Sequence, residues 1–154
     1  MSSPVPSSKP AAPVAATVPG HTGLVVRDLG RSVRFYRDAF ALTLMGEGEA
    51  RGTRFAFLGD GNRVTLTLWQ RDGASGLHHL AFEAASAADV RAAEARLARL
   101  GAALTYDGIV LHADGATSGG VYFTDPDGLR LEIYAASGIE GRAPVEGAPS
   151  CGFF

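Results

Sequence analysis

The chain has a single cysteine, Cys151, and a single lysine, Lys9, among its 154 residues. One cysteine excludes an internal disulfide and the thiolate-rich class of zinc and iron–sulfur sites. No apolar run approaches the roughly 18 residues that a membrane-spanning helix requires. The 14 basic residues are scattered and are balanced by 16 acidic residues. Because nucleic-acid and anionic-membrane surfaces need clustered basic side chains, we expect neither as a partner.

The length is that of one domain, enough to bury a hydrophobic core without disulfides. Residues 1–19 are rich in proline and lack the basic start and sustained apolar stretch of a signal peptide. They predict a disordered leader and a cytoplasmic protein. Residues 137–154 predict an irregular tail, because they are rich in glycine and proline. Their Cys-Gly-Phe-Phe end suggests docking on the domain or on a second copy, which could bring Cys151 near a cavity.

Between these ends, residues 20–136 predict the same structural unit twice, in modules 20–70 and 76–136. Each unit reads strand, helix and then three strands, which is an α+β pattern. Asp28 and Ser86 are the predicted helix N-caps, and Gly101 is the predicted end of the second helix. The predicted strands cover residues 21–26, 42–47, 53–59 and 63–69, then 77–84, 103–111, 120–124 and 129–134.

Potential metal ligands occupy matching places in the two modules. His21 and His79 stand at the heads of the two opening strands, and Glu132 stands on the last strand of the second module. Aligning the modules puts Thr65 at the fourth equivalent position, where a hydroxyl is a poor replacement for a carboxylate ligand. Two imidazoles and one carboxylate, with coordination positions left open, suit a non-haem Fe(II) site.

His78 is the competing candidate beside His79. Neighbouring residues of a strand point to opposite faces, so we expect only one of the two to face the interior of the sheet. The alignment with His21 favours His79.

On these residues the sequence resembles the vicinal oxygen chelate superfamily, which includes glyoxalase I, extradiol dioxygenases, fosfomycin-resistance enzymes and bleomycin-binding proteins. The resemblance covers about residues 20–136 and depends on HTGLVVRDLGRSVRFYRDAF, HHLAFEA and VYFTDPDGLRLEIY. It implies two βαβββ modules that form a cupped, partly closed mixed sheet around a metal, with ligands on the first and last strands. We also expect a homodimer.

The resemblance distinguishes among branches of the superfamily. Glyoxalase I-like members need a carboxylate at the position assigned to Thr65, so its absence favours the extradiol dioxygenase branch. A signature of that branch implies that His112 is an acid/base and that Tyr122 is a hydrogen-bond partner of the substrate. The gap of eight residues between His112 and Val121 is one longer than the family pattern.

The expected function is therefore an Fe(II) extradiol-type dioxygenase that uses O2 on a small catechol-like or other vicinal-oxygen substrate. A lyase, isomerase or transferase using Mn, Ni, Co or Zn is the first alternative. A non-catalytic drug-binding resistance protein is the second, although such proteins typically lack the metal triad. We expect Leu24, Val26, Phe82 and Tyr134 to form an apolar pocket floor, and Trp69 to pack rather than to stack on a ligand.

Overall fold

The computed structural model describes residues 18–113 and 117–146. In these ranges two helices and eight strands follow one another as two βαβββ modules. The first module contains β1 (Val18–Val26), α1 (Leu29–Phe40), β2 (Thr43–Ala50), β3 (Thr53–Gly59) and β4 (Val64–Gln70). The second contains β5 (Gly76–Glu83), α2 (Ala87–Leu100), β6 (Val110–Leu111), β7 (Gly119–Thr124) and β8 (Arg130–Ala135).

All eight strands form one mixed, curled sheet in the order β2-β3-β4-β1-β5-β8-β7-β6. In each module the first strand pairs in parallel with the last strand, β1 with β4 and β5 with β8. The two modules join where β1 pairs antiparallel with β5. The predicted duplication and the α+β class are therefore confirmed, and the first and last strands of both modules lie at the centre of the sheet.

Both helices begin, and α2 ends, where their predicted capping residues lie. Asp28 accepts a hydrogen bond from the backbone of Arg31 at the start of α1, and Ser86 accepts one from Asp89 at the start of α2. Gly101 ends α2 in the left-handed conformation, which glycine adopts without a steric cost. Each helix packs its apolar face on its own module, so each module has its own hydrophobic cluster. A third, smaller cluster forms around Val110 and Tyr122.

The predicted strand at residues 103–111 is wrong over most of its length. Only Val110–Leu111 is a strand, and Leu104 makes an isolated bridge to Phe123. Residues 105–108 bend, with Gly108 at a φ of 93°. The Asp107-Gly108 pair is a turn signal that interrupts the apolar pattern, since glycine adopts positive φ readily.

The ends of the chain are described only in part. β1 begins at Val18, so Val18 and Pro19 belong to the sheet instead of the predicted leader. The rest of that leader and the end of the tail, with Cys151, lie outside the described residues. Among the residues that are described, no helix combines the length and the apolar character needed to cross a bilayer.

Candidate metal centre

Three buried side chains meet in the middle of the sheet: His21 from β1, His79 from β5 and Glu132 from β8. One possible ligand atom from each lies within 4.8 Å of the others. The Nε2 atoms of His21 and His79 are 2.9 Å apart, and Nε2 of His21 is 3.9 Å from Oε2 of Glu132. The predicted convergence of these three residues is confirmed, whereas their role as metal ligands stays a prediction.

The register of the strands explains this convergence. His21 lies opposite Ala81 across the β1–β5 pair, and Ala81 lies beside Glu132 across the β5–β8 pair. These residues therefore form one row across three strands. His79 lies two residues from Ala81 on the same strand, opposite Gly23. The imidazole of His79 lies directly over Gly23, because a Cβ atom added there would come closer to its Nδ1 than the 3.0 Å that real Cβ contacts keep.

The fourth symmetry-related position belongs to Thr67, and its prediction as Thr65 is wrong. Gly23, two residues after His21, pairs with Thr67, just as Ala81, two residues after His79, pairs with Glu132. Thr67 is buried and accepts a hydrogen bond from the indole Nε1 of Trp69 at 3.1 Å. The alignment slipped by two residues because the Asp-Gly pairs at 60–61 and 127–128 look equivalent in sequence. The structural counterpart of Asp60 is instead Asp125, since each accepts backbone hydrogen bonds in its own turn. The fourth position still lacks a carboxylate ligand, because Thr67, like Thr65, has a hydroxyl there.

The expectation that only one of His78 and His79 faces the interior is also wrong. Gly23 pairs with His79, and the next residue on β1, Leu24, pairs with Leu77. Strand β5 therefore has one extra residue, His78, between these two pairs. This β-bulge at His78 breaks the alternation of side chains. Both histidines are buried, and their Nδ1 atoms are 2.8 Å apart. The ring of His78 also stacks on Trp69, with centroids 4.9 Å apart.

Glu132 is completely buried, and its two oxygens have different surroundings. Oε1 lies 2.7 Å from Nε2 of His112, whereas Oε2 has no hydrogen-bond partner among the described residues. Burial by itself would raise the pKa of Glu132, but the hydrogen bond from His112 and the charges of His112, His21 and His79 together outweigh it and lower the pKa. A buried carboxylate oxygen without a partner is costly, and a cation bound between Oε2 and the two imidazoles would remove that cost.

The two candidate histidine ligands favour their neutral form, which is the form that binds metals. Burial lowers the pKa of His21, an effect that the charge of Glu132 opposes. Burial, reinforced by His21, lowers the pKa of His79 to about 3. Burial likewise lowers the pKa of His78 to about 4, with the nearby Arg130 adding to the shift. The donor set therefore fits a divalent cation, with positions left open for other ligands.

A cavity of about 270 Å³ opens beside this cluster. It is lined by His21, Phe57, Asn62, Arg63, Val64, Glu83, His112, Ser118, Tyr134 and Ala136. His112 contacts both the cavity and Glu132, and its Nδ1 lies 3.0 Å from the hydroxyl of Ser118. Sequence reasoning identified His112 and Tyr134 but missed Ser118, because no motif marks it.

Other predicted site residues lie elsewhere. Tyr122 pairs with Glu132 in the β7–β8 register, but it is completely buried and is not among the residues that line the cavity. Leu24 and Val26 pack in the α1 cluster, because they alternate with the interior-facing His21 and Gly23. Of the predicted pocket floor, only Tyr134 lines the cavity.

Comparison with known proteins agrees with this architecture. Residues 18–133 match the family model described as Glyoxalase/Bleomycin resistance protein/Dioxygenase superfamily. The chain belongs to this superfamily. The match spans both modules and includes all three residues of the cluster, so the predicted family is confirmed.

The relatives within this superfamily carry out different reactions. The chain is 31% identical over 124 residues to the catechol-2,3-dioxygenase of Bacillus subtilis (strain 168), an alignment that covers 75% of this chain and 40% of the relative. The structure is similar to a halotolerant catechol dioxygenase, BphC, with a TM-score of 0.67, 23% identity and coverage of 82% of this chain and 44% of that chain. It is also similar to a methylmalonyl-CoA epimerase of Streptomyces coelicolor, with a TM-score of 0.58 and 22% identity. This match covers 78% of this chain and 97% of the epimerase chain. At these identities the solved structures establish the fold alone.

Proposed function

We propose that this protein is an Fe(II)-dependent dioxygenase of the extradiol type, acting with O2 on a small catechol-like or other vicinal-oxygen substrate. The observation that carries the proposal is the buried cluster of two imidazoles and one carboxylate, with the hydroxyl of Thr67 at the fourth equivalent position. That ligand set is typical of non-haem Fe(II) oxygenases. The 31% identity with a catechol-2,3-dioxygenase supports the same reaction class, although the chain spans 40% of that relative's length.

The proposed ligand atoms are Nε2 of His21, Nε2 of His79 and Oε2 of Glu132. Iron(II) held by these atoms would chelate two vicinal oxygens of the substrate and would supply the redox chemistry with O2. The protein holds the carboxylate in place, because His112 occupies Oε1 and leaves Oε2 directed at the histidines. The cavity beside His21 and Tyr134 would hold the substrate next to the cluster.

The proposed acid/base is His112, acting through Nδ1. Its Nε2–H donates to the ionised Glu132, so in the neutral ring Nδ1 carries a lone pair and accepts from Ser118. A proton from a substrate hydroxyl would reach Nδ1 directly or through Ser118, which also lines the cavity. The Glu132 carboxylate would stabilise the resulting imidazolium. A substrate hydrogen bond from Tyr122 stays a prediction, since this side chain lies outside the cavity lining.

A metal-dependent isomerase or lyase is the second candidate, with Mn, Ni, Co or Zn in place of iron. The observation that favours it is the similarity in fold to a methylmalonyl-CoA epimerase, which extends over 97% of the epimerase chain. The donor set does not separate the two candidates, because affinity for a site of nitrogen and oxygen ligands does not by itself select the metal.

Oxygen consumption by anaerobically purified protein separates these candidates. The protein is loaded with one metal at a time and given catechol and substituted catechols, with His79→Ala as the inactive variant and the exposed Thr65→Ala as the matched control. Iron-dependent O2 uptake and a ring-opened product, lost in His79→Ala and kept in Thr65→Ala, would support the dioxygenase. In parallel the protein is given methylmalonyl-CoA, and metal-dependent exchange of its carbon-bound proton with solvent, without O2 uptake, would support the isomerase instead. Protein that binds no metal under any condition would contradict both candidates and favour a non-catalytic binding protein.

A further inference from the structure

The proposed function gives no role to His78, although this residue contacts a candidate ligand. Histidine is an unusual side chain to bury beside another histidine, because its ring nitrogens need hydrogen-bond partners. His78 is 5% exposed, and the bulge in β5 is what turns it toward His79. Bulges next to active sites often re-aim a side chain.

The imidazole of His78 is held from two directions. It stacks on Trp69 with an interplanar angle of 13°, and it meets the His79 ring edge-on at 81°. Trp69 in turn donates its indole N–H to Thr67. Thr67 thus holds the Trp69 ring on which His78 stacks. Thr67 is the residue at the fourth symmetry-related position, where no carboxylate is available to a metal.

The contact between the two histidines has a defined direction once a metal is bound. A hydrogen bond between two Nδ1 atoms 2.8 Å apart needs one donor and one acceptor. His79 must keep a lone pair on Nε2 to bind a cation, so its proton is on Nδ1 and donates to His78. The ring of His78 then carries its own proton on Nε2.

We propose that His78 is a positioning residue that fixes the tautomer and the ring orientation of the metal ligand His79, supported by Trp69 and Thr67. The proposal depends on the proposed metal centre. Metal-binding histidines commonly donate their second ring N–H to a protein group, which orients the ring and makes it a better ligand. Carboxylates and carbonyls usually take that role, and here a second imidazole takes it.

Two substitutions separate the hydrogen bond from the ring stack. His78→Phe keeps an aromatic ring on Trp69 but has no acceptor for His79. His78→Asn loses the stack but places an amide oxygen near the position of Nδ1. Affinity for Co(II) is measured by competition with a chelator, together with the visible absorption of the bound Co(II) and the thermal unfolding of the metal-free proteins.

We expect His78→Phe to weaken Co(II) binding by about 10- to 100-fold and to alter the Co(II) spectrum. His78→Asn should recover most of the affinity, and the exposed Thr65→Ala should match the wild type. Equal Co(II) affinity in the wild type and His78→Phe would overturn the positioning role while leaving the metal centre intact. Equal losses of Co(II) affinity in His78→Phe and His78→Asn would also overturn it. Wild-type protein that binds no Co(II) would instead overturn the proposed function.

A second measurement needs no substitution and decides the question if His78→Phe does not fold. In ¹⁵N-labelled wild-type protein loaded with Zn(II), long-range nitrogen–proton spectra report which ring nitrogen carries each proton. The proposal expects His79 protonated at Nδ1 and His78 protonated at Nε2, with a scalar coupling between the two Nδ1 nuclei. A proton on Nδ1 of His78 would overturn it.

Discussion

The substitution Gly23→Ala tests the geometry of the metal centre without changing any proposed ligand. A Cβ atom at residue 23 would meet Nδ1 of His79 at less than 3.0 Å and would lie 3.1 Å from Cγ of the same ring. Since nonbonded atoms prefer separations of about 3.5–4.0 Å, the ring must move away by roughly 1 Å or the strand must shift. His79 is 0% exposed and is bounded by His78, so it cannot move freely.

The consequences for metal binding and for stability are both measurable. Ligand distances must be correct to about 0.2 Å, so a displacement of roughly 1 Å removes His79 from the ligand set. We expect metal affinity to fall by at least about 100-fold, which corresponds to about 2.7 kcal/mol of binding free energy. The overpacking should also lower the free energy of unfolding by about 1–3 kcal/mol.

The assay is Co(II) titration with urea unfolding of the metal-free proteins, and Gly46→Ala is the matched control. Gly46 lies in strand β2, where an added Cβ would meet only Phe57 at an ordinary 3.6 Å. The affinity of Gly46→Ala for Co(II) should equal that of the wild type. If Gly23→Ala also binds Co(II) as tightly as the wild type, His79 does not bind the metal from the position described, and the reasoning is refuted.

Three further predictions concern the surroundings of the cluster. First, lowering the pH from 7.5 to 5 should destabilise the metal-free protein. The pKa of His78 is lowered from 6.5 to about 4 in the folded protein, so the unfolded chain takes up a proton at a higher pH than the folded protein does. The free energy of unfolding therefore decreases as the pH falls from 6.5 toward 4. At pH 5 the share of this loss from His78 is about 2 kcal/mol, so urea unfolding should find a loss smaller by about that amount in His78→Phe, which keeps the shares of His79 and His21. Second, Thr67→Val should cost about 1–3 kcal/mol of unfolding free energy, because it leaves the buried indole N–H of Trp69 without its acceptor. Thr65→Ala should change stability by less than about 0.5 kcal/mol, and equal effects at the two threonines would contradict the assignment of the fourth position. Third, His112→Gln keeps an N–H for Glu132 but cannot take up a proton, so steady-state kinetics should show turnover reduced by about 10²- to 10⁴-fold with metal affinity retained. Unchanged turnover would exclude His112 as the acid/base.

The duplication made much of this architecture predictable. An apolar strand followed by a capped helix and three strands occurs twice, and parallel pairing of the first and last strands then brings His21, His79 and Glu132 to the centre of the sheet. Local signals were sufficient for the starts of both helices and for the end of α2, because Asp28, Ser86 and Gly101 mark these positions.

Features that depend on register were not predictable. Alternation alone assigns His78 to the outer face, since the bulge that turns it inward is visible only in the pairing of β1 with β5. The fourth position was misassigned to Thr65 for a similar reason, because a two-residue slip keeps the same face and leaves the hydrophobic pattern unchanged. The hydrogen bond from His112 to Glu132 joins residues on different elements, and no local pattern encodes it.

The most direct test of the metal centre is an anomalous diffraction measurement at the zinc edge on crystals grown with Zn(II). We expect one strong peak, about 2.0–2.2 Å from Nε2 of His21, Nε2 of His79 and Oε2 of Glu132. Crystals of His79→Ala should show no peak at that position. A wild-type crystal without density between these three residues, or with zinc held by a different set of side chains, would contradict the proposed metal centre.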